Sequence, residues 1–236
     1  MSTPVVWITG ASRGIGRATA LKFARDGAVV ALSARSRADL DSLEKELTVE
    51  GVRAVAVPCD VTSASEILSA HAHIVQEIGP VDVLVNNAGI SVFKSFIDTQ
   101  LEEFDAILNT NFRGAIVATK AVLPSMIEQK NGYIFNIISI TARKLFTNSA
   151  AYAASKVSLA TAMDVLREEL RGTGIKVINI IPGATDTAIW PQKIREKYRA
   201  RMLQPYIIAD AILTAYHQPP EASMEEIIIR PPGGDL

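Results

Sequence analysis

The chain has 236 residues, 48% of them hydrophobic, with 24 basic and 25 acidic side chains and a formal net charge of -1. That length and apolar content suit one compact domain and exclude disordered or fibrous classes, and the near-balanced charge gives no reason to seek nucleic acid or an acidic membrane surface. Cys59 is the only cysteine, so no intrachain disulfide forms, no cluster with metal-ligand spacing exists, and a reducing, cytoplasmic setting is expected.

The first residues lead into the apolar run Val5-Val6-Trp7-Ile8 without a basic leader, and secretion is not expected. A helical pattern over Ala18 to Arg25 and a strand at Val29 to Leu32 complete a βαβ opening. Leu40, Leu43 and Leu47 share one helical face, Val52 to Val57 reads as a strand, Ile67, His71, Ile74 and Ile78 form the next stripe, and Val81 to Val85 the next strand. Helices over Leu101 to Asn109 and Thr110 to Glu128 precede a strand at Tyr133 to Ile138, a helix over Ala150 to Leu170 and a strand at Ile175 to Ile181. Glu225 to Ile229 looks like a last strand, stopped by Pro231.

About seven strands, apolar on both faces and separated by helices, argue for an α/β, doubly wound, mostly parallel sheet covered on each side. No apolar run approaches the ~20 residues a membrane-spanning helix needs. Without an internal repeat or a linker, residues 1–236 are expected to form one domain. The least periodic stretch lies between Pro182 and Pro205, where a substrate lid at 184–205 is expected.

Between the first strand and first helix stands Thr9-Gly10-Ala11-Ser12-Arg13-Gly14-Ile15-Gly16. Glycines let a backbone approach a ligand closely, and the helix N-terminus offers free N–H groups to phosphate. The spacing Gly-x-x-x-Gly-x-Gly differs from the Gly-x-Gly-x-x-Gly dinucleotide fingerprint, so this turn alone does not identify its ligand. At the end of the second strand, Ala34-Arg35 replaces the acidic residue that would bond the ribose hydroxyls of NAD. Arg35, with Arg13 in the turn, would attract a 2′-phosphate, which favours NADP(H).

The chain carries Asn86-Asn87-Ala88-Gly89 after the fourth strand, then Asn111, Ser139, Tyr152-Ala153-Ala154-Ser155-Lys156, and Pro182-Gly183 followed by Thr187. With the glycine octet, these motifs resemble the short-chain dehydrogenase/reductase family in order and over nearly the whole length. The resemblance implies that Gly10, Ser12, Arg13, Gly14, Ile15 and Gly16 hold a pyrophosphate, Asp60 and Val61 the adenine, and Asn87, Ala88 and Gly89 the adenosine side. It further implies that Pro182, Gly183, Thr185 and Thr187 line the nicotinamide segment, and that a homodimer or homotetramer forms. The C-terminal segment and Asp186 to Trp190 look more like bacterial sepiapterin-reductase-type members than 3-oxoacyl-carrier-protein reductases.

Tyr152 and Lys156, four residues apart, project from one helical face that continues through Leu159, Met163, Leu166 and Leu170. On spacing alone, a lysine that snorkels and a tyrosine that only packs is the simpler reading. The resemblance implies instead that Tyr152 is the general acid, Ser139 orients a substrate carbonyl, Lys156 anchors the ribose, and Asn111 supports a proton relay. A nearby ammonium is expected to favour the phenolate and lower the tyrosine pKa. The expected activity is NADPH-dependent reduction of a small-molecule carbonyl to an alcohol, with a non-catalytic NADP(H)-binding regulator as the alternative of another class. Ile189, Trp190 and Met202 are candidates to line the substrate pocket, and His71, His73 and His217 read as structural or surface residues, with no metal proposed.

Overall fold

Short strands rich in β-branched residues send alternate side chains to opposite faces, and here both faces are covered by helices. The computed structural model describes residues 3–236. Its strands are β1 (Val5–Thr9), β2 (Val29–Ser33), β3 (Ala54–Ala56), β4 (Val83–Asn86), β5 (Gly132–Ile137), β6 (Ile175–Pro182) and β7 (Glu226–Ile229). They form one seven-stranded sheet in the order β3-β2-β1-β4-β5-β6-β7, and every pairing is parallel. The chain winds outward from β1 in both directions, which opens a crevice at the carboxyl ends of β1 and β4.

The helices are α1 (Gly14–Arg25), α2 (Arg37–Val49), α3 (Ala64–Ile78), α4 (Leu101–Leu108), α5 (Gly114–Gln129), α6 (Ala150–Glu169), α7 (Gln192–Tyr198) and α8 (Pro205–Tyr216). On one face Trp7, Leu84, Ile134 and Val177 meet Ile67 and Ile74 of α3, Val122 of α5 and Leu159 and Met163 of α6. On the other, Val6, Ile8, Leu32, Phe135 and Ile178 meet Phe23 of α1, Leu40, Leu43 and Leu47 of α2, and Ile208 and Ile212 of α8. Burying a large side chain of this kind contributes roughly 1.5–3 kcal/mol, so these two layers hold the sheet that positions the cleft. The His71 ring lies 5.9 Å from that of Trp7, tilted by 30°, and His217 bonds Asp26 at the surface.

Several boundaries differ from the expectations. Helix α1 begins at Gly14 instead of Ala18, because the glycine turn itself enters the helix. Strand β3 is confined to Ala54–Ala56; the Val52 N–H is still bonded to Leu47 O as the chain leaves α2. No break separates α4 from α5. A π-helical turn over Asn109–Arg113 joins them, as its backbone continues in the right-handed helical region. Helix α8 was not anticipated, although Pro205 at its first turn and the buried Ile208, Ile212 and Ala215 have the right spacing. The 182–205 stretch also contains a helix, α7, followed by a 3-10 turn at Arg199–Arg201.

Three asparagines cross the sheet in register. Asn86 pairs with Asn136, and Asn136 with Asn179. The Asn86 amide donates to Asn136 Oδ1 at 2.9 Å and to Thr119 Oγ1 at 3.0 Å. Asn136 donates onward to Asn179 Oδ1 at 3.2 Å, and Asn179 to Asp164 Oδ1 at 2.9 Å. This chain of side-chain bonds ties β4, β5 and β6 to α5 and α6, with each amide partly satisfied by its neighbours.

Candidate active site

A cleft of about 670 Å³ runs along the carboxyl ends of the strands. At one end stands the glycine turn. Gly10 has a φ of +66°, and a Cβ on it would lie 2.9 Å from Ala88 Cα, so a left-handed conformation and a close approach both require glycine there. A Cβ on Gly16 would lie 2.3 Å from Gly10 O and 2.4 Å from Asn87 Nδ2. Gly16 therefore sits beneath the turn and does not line the cleft, which differs from the expectation that it faces a ligand.

Asn87 braces this turn. Its Nδ2 donates to Thr9 O at 2.9 Å and Gly10 O at 3.0 Å, while Thr9 Oγ1 accepts from the N–H groups of Asn87 and Ala88, both at 3.1 Å. The amide of Asn87 is thus spent on the backbone. Helices α2 and α3 are capped by Ser36 and Ser63, but α1 starts after an extended Arg13 with no side-chain cap and no acidic residue in its first turn. Its open N–H groups and dipole suit an anion.

Arg13 and Arg35 line the same end of the cleft and are exposed. Among the described residues, neither is ion-paired. Asp60 and Val61 form the neighbouring wall. The Thr62 N–H and hydroxyl hold the Asp60 carboxyl below its ordinary range against burial, with Arg35 adding to the effect. This end combines a glycine cradle, an uncapped helix and two unpaired guanidinium groups, and it fits a phosphorylated dinucleotide.

The other end carries Ser139, Tyr152 and Lys156. Tyr152 and Lys156 come from the first two turns of α6, and Ser139 from the loop after β5. Lys156 is 3% exposed, and its Nζ donates to Ile137 O at 2.6 Å and lies 5.8 Å from the Tyr152 ring centroid. It does not snorkel. Burial lowers its pKa to about 8. Burial also pushes the Tyr152 phenol up to about 12, with the hydrogen bond to Ser139 opposing the rise. The net shift is opposite to the expected lowering, because desolvation of the phenolate dominates while Nζ is turned to a carbonyl.

Asn111 is 1% exposed and does not line the cleft. Its Oδ1 accepts from the Ile90 N–H at 2.8 Å, and its Nδ2 donates to Ile90 O at 2.9 Å and Ser155 Oγ at 3.0 Å. Ser155 in turn donates to Tyr152 O at 2.7 Å. The π-helical turn at Asn111 thereby clamps the loop after β4 to the first turn of α6, beside Tyr152.

Pro182, Gly183, Thr185 and Thr187 line the cleft after β6. Ile189 and Trp190 line it as expected; Met202 is buried away from it. Trp190 stacks on Phe93 at 5.0 Å with 4° between the ring planes, and its Nε1 donates to Thr185 O at 3.1 Å. Phe93, which sequence reasoning missed, follows the Asn86 to Gly89 motif by only four residues. Asp186, 4% exposed, pairs with both Arg195 and Arg199 and anchors the segment that contains α7. Burial would raise its pKa, yet those hydrogen bonds keep it below the ordinary range.

A doubly wound sheet with this turn at its switch point defines a dinucleotide-binding class of protein. The family model for short chain dehydrogenase matches residues 4–198, and the chain belongs to that family. It is 36% identical over 239 residues to a sepiapterin reductase of Chlorobaculum tepidum, covering 98% of each chain. A metagenomic short-chain oxidoreductase in complex with NADP superposes with a TM-score of 0.85 at 32% identity, over 97% of this chain and 96% of that one. An alcohol dehydrogenase of the archaeon Thermococcus sibiricus, complexed with 5-hydroxy-NADP, gives 0.91 at 29% identity over 100% and 99%. Among the described residues no helix is long and apolar enough to cross a membrane.

Proposed function

We propose that the protein is an NADPH-dependent carbonyl reductase that converts a ketone to a secondary alcohol. The observation that carries this reading is the convergence of Ser139, Tyr152 and a buried Lys156 on one end of a cleft whose other end carries two unpaired arginines. The α1 N-terminus and the Gly10 to Gly14 turn would hold the pyrophosphate, Arg13 and Arg35 the 2′-phosphate, and Asp60 and Val61 the adenine. Asn87 acts by holding the turn, while Lys156 would bond a ribose hydroxyl with the protons not used on Ile137 O, and Pro182, Gly183, Thr185 and Thr187 would border the nicotinamide. NADPH, when bound, supplies the hydride.

The chain's own residues handle the oxygen. Tyr152 lines the cleft with Ser139, its phenol is protonated at neutral pH, and from that position it serves as the general acid that protonates the carbonyl oxygen. Ser139 donates a hydrogen bond to that oxygen as charge develops on it; such positioned donors are worth several kcal/mol. Residues 184–205, pinned at Asp186, would act as a lid, with Thr187 to Trp190 bordering the substrate end. Asn111 is a positioning residue that fixes Ile90 and α6.

The likeness to the sepiapterin reductase and to the NADP-complexed structures supports both the cofactor and the reaction class. We further propose that the whole chain acts as one domain and assembles as a homodimer or homotetramer, in keeping with the family. The test is NADPH oxidation followed by absorbance with a panel of neutral carbonyl compounds, repeated with NADH. Turnover with NADPH and at least one ketone is expected; NADPH binding without turnover across the panel would refute the reductase reading.

A further inference from the structure

The residues after β7 return to the cleft. Asp235 and Leu236 line it, carried there by a turn in which the Gly234 N–H donates to Pro231 O at 2.9 Å. The start of this tail packs on the segment after β6, where a Cβ on Gly183 would lie 3.0 Å from Pro231 Cδ. The Asp235 side chain is 5% exposed, and both of its oxygens are engaged. Oδ2 accepts from Lys144 Nζ at 3.0 Å and from Arg230 Nη2 at 2.6 Å, and Oδ1 accepts from Arg230 Nε at 3.1 Å. Burial would raise its pKa, yet the hydrogen bonds from Arg230 and Lys144 hold it below the ordinary carboxylate range. Lys144 belongs to the loop after β5, and its Nζ lies 5.2 Å from the ring centroid of Phe146, which also lines the cleft. One carboxylate thus joins the tail to that loop.

The lid meets the same residue. Its base is closed where the Leu203 N–H donates to Ala184 O and the Asp186 N–H to Leu203 O, both at 2.8 Å, and Asp186 braces it from within through Arg195 and Arg199. Among the described residues, the one hydrogen bond that 187–202 makes with the rest of the chain beyond that base runs from Arg201 Nη2 to Asp235 O at 3.3 Å. A segment closed at its base and braced internally moves as a body, so its balance between shut and open depends on the contacts it makes outside itself. The atom that receives the Arg201 bond belongs to the residue that Lys144 and Arg230 hold in place.

We propose that Asp235 is a positioning residue that latches the tail 231–236 and the lid to the loop after β5, so that the three segments close the substrate end as one wall. It touches neither the transferred proton nor the nucleotide end and acts through Arg201 and Lys144. Its effect on kinetics rests on the reductase reading above; its effect on the lid does not.

The test uses Asp235→Asn, which keeps the side chain's size and removes its charge, Arg201→Met, which removes the lid's bond and leaves the ion pairs, and the double variant. The Lys144 and Arg230 side chains are about half exposed, so on losing the carboxylate they turn to water and the fold is retained. Acrylamide quenching of fluorescence reads the lid, because of the two tryptophans Trp7 is fully buried and Trp190 borders the cleft beside the lid's base. Each single substitution should raise the quenching constant about twofold, and the double variant should exceed neither, since a lid released once is not released again. KM for a reducible ketone should rise about fivefold, with kcat and NADPH affinity within about twofold, because a less populated closed state weakens substrate binding without altering the closed complex. A parental quenching constant in Asp235→Asn, additive effects in the double variant, or a loss of kcat with KM unchanged would overturn the latch. If the parent turns over no ketone, the reductase reading fails and the quenching comparison alone decides the latch.

Discussion

Replacing Lys156 with methionine removes a buried ammonium and with it a defined pH dependence of stability. The side chain is 3% exposed and bonds Ile137 O, and burial brings its pKa from 10.5 down to about 8. Between those two values the unfolded chain binds more protons than the folded one, so stability rises with pH. The cost of burying the charge is fully present below pH 8 and fades as pH approaches 10.5. The interval between the two pKa values corresponds to roughly 3 kcal/mol. Urea unfolding of parent and Lys156→Met across this range measures it, because Cys59 and the tyrosines titrate in both proteins and cancel in the difference. The unpaired Ile137 carbonyl of the variant costs about 1–3 kcal/mol, but that cost does not depend on pH. The parent should gain roughly 2–3 kcal/mol on the variant by about pH 10. A difference that stays flat would refute the claim that Lys156 is held desolvated beside Tyr152.

Further outcomes follow from other parts of the cleft and sheet. Arg35→Asp places a carboxylate where a guanidinium now stands unpaired, and the preference for NADPH over NADH should fall about a hundredfold in steady-state kinetics; unchanged selectivity removes Arg35 from the phosphate site. Asn136→Ala leaves the Asn86 amide and the Asn179 carbonyl short of partners inside the sheet, and should cost about 3 kcal/mol in urea unfolding; a loss under about 1 kcal/mol would mean the ladder adds little. Asp186→Asn weakens the anchor for Arg195 and Arg199, so trypsin should cut within 192–201 several times faster than in the parent. Digestion at the parent rate would contradict the anchoring role.

The strands and most helices were legible because their apolar residues recur with the period of the element that buries them. Leu40, Leu43 and Leu47 needed only helical spacing, and all three are buried. The π-helical turn at Asn109–Arg113 was not legible: one extra residue per turn displaces side chains too little over five positions to change the apolar pattern. Helix α8 carried a readable signal in Pro205 and the residues after it. The asparagine ladder had none, since Asn86, Asn136 and Asn179 become neighbours only through strand register.

At the cleft, the motifs marked the chain segments correctly without revealing which atoms face inward. Gly16 and Asn111 belong to motifs yet lie behind the surface they support. Asn87 reaches the cleft, but its amide is occupied by the turn. The pairing of Asp186 with two arginines of the following segment, and the ion pairs that hold Asp235 at the cleft, depend on tertiary placement that spacing does not encode. The raised pKa of Tyr152 depends on burial of the phenol, which the i, i+4 spacing to Lys156 cannot report.

The most direct measurement on the central claim is a paired determination of NADPH affinity and kcat for Tyr152→Phe. Loss of the proton donor should reduce kcat by about 10²–10⁴-fold, while the dissociation constant for NADPH, governed by the glycine turn and the two arginines, should stay within about threefold of the parent value. Near-parental turnover by the phenylalanine variant would contradict the account, whatever its affinity for the nucleotide.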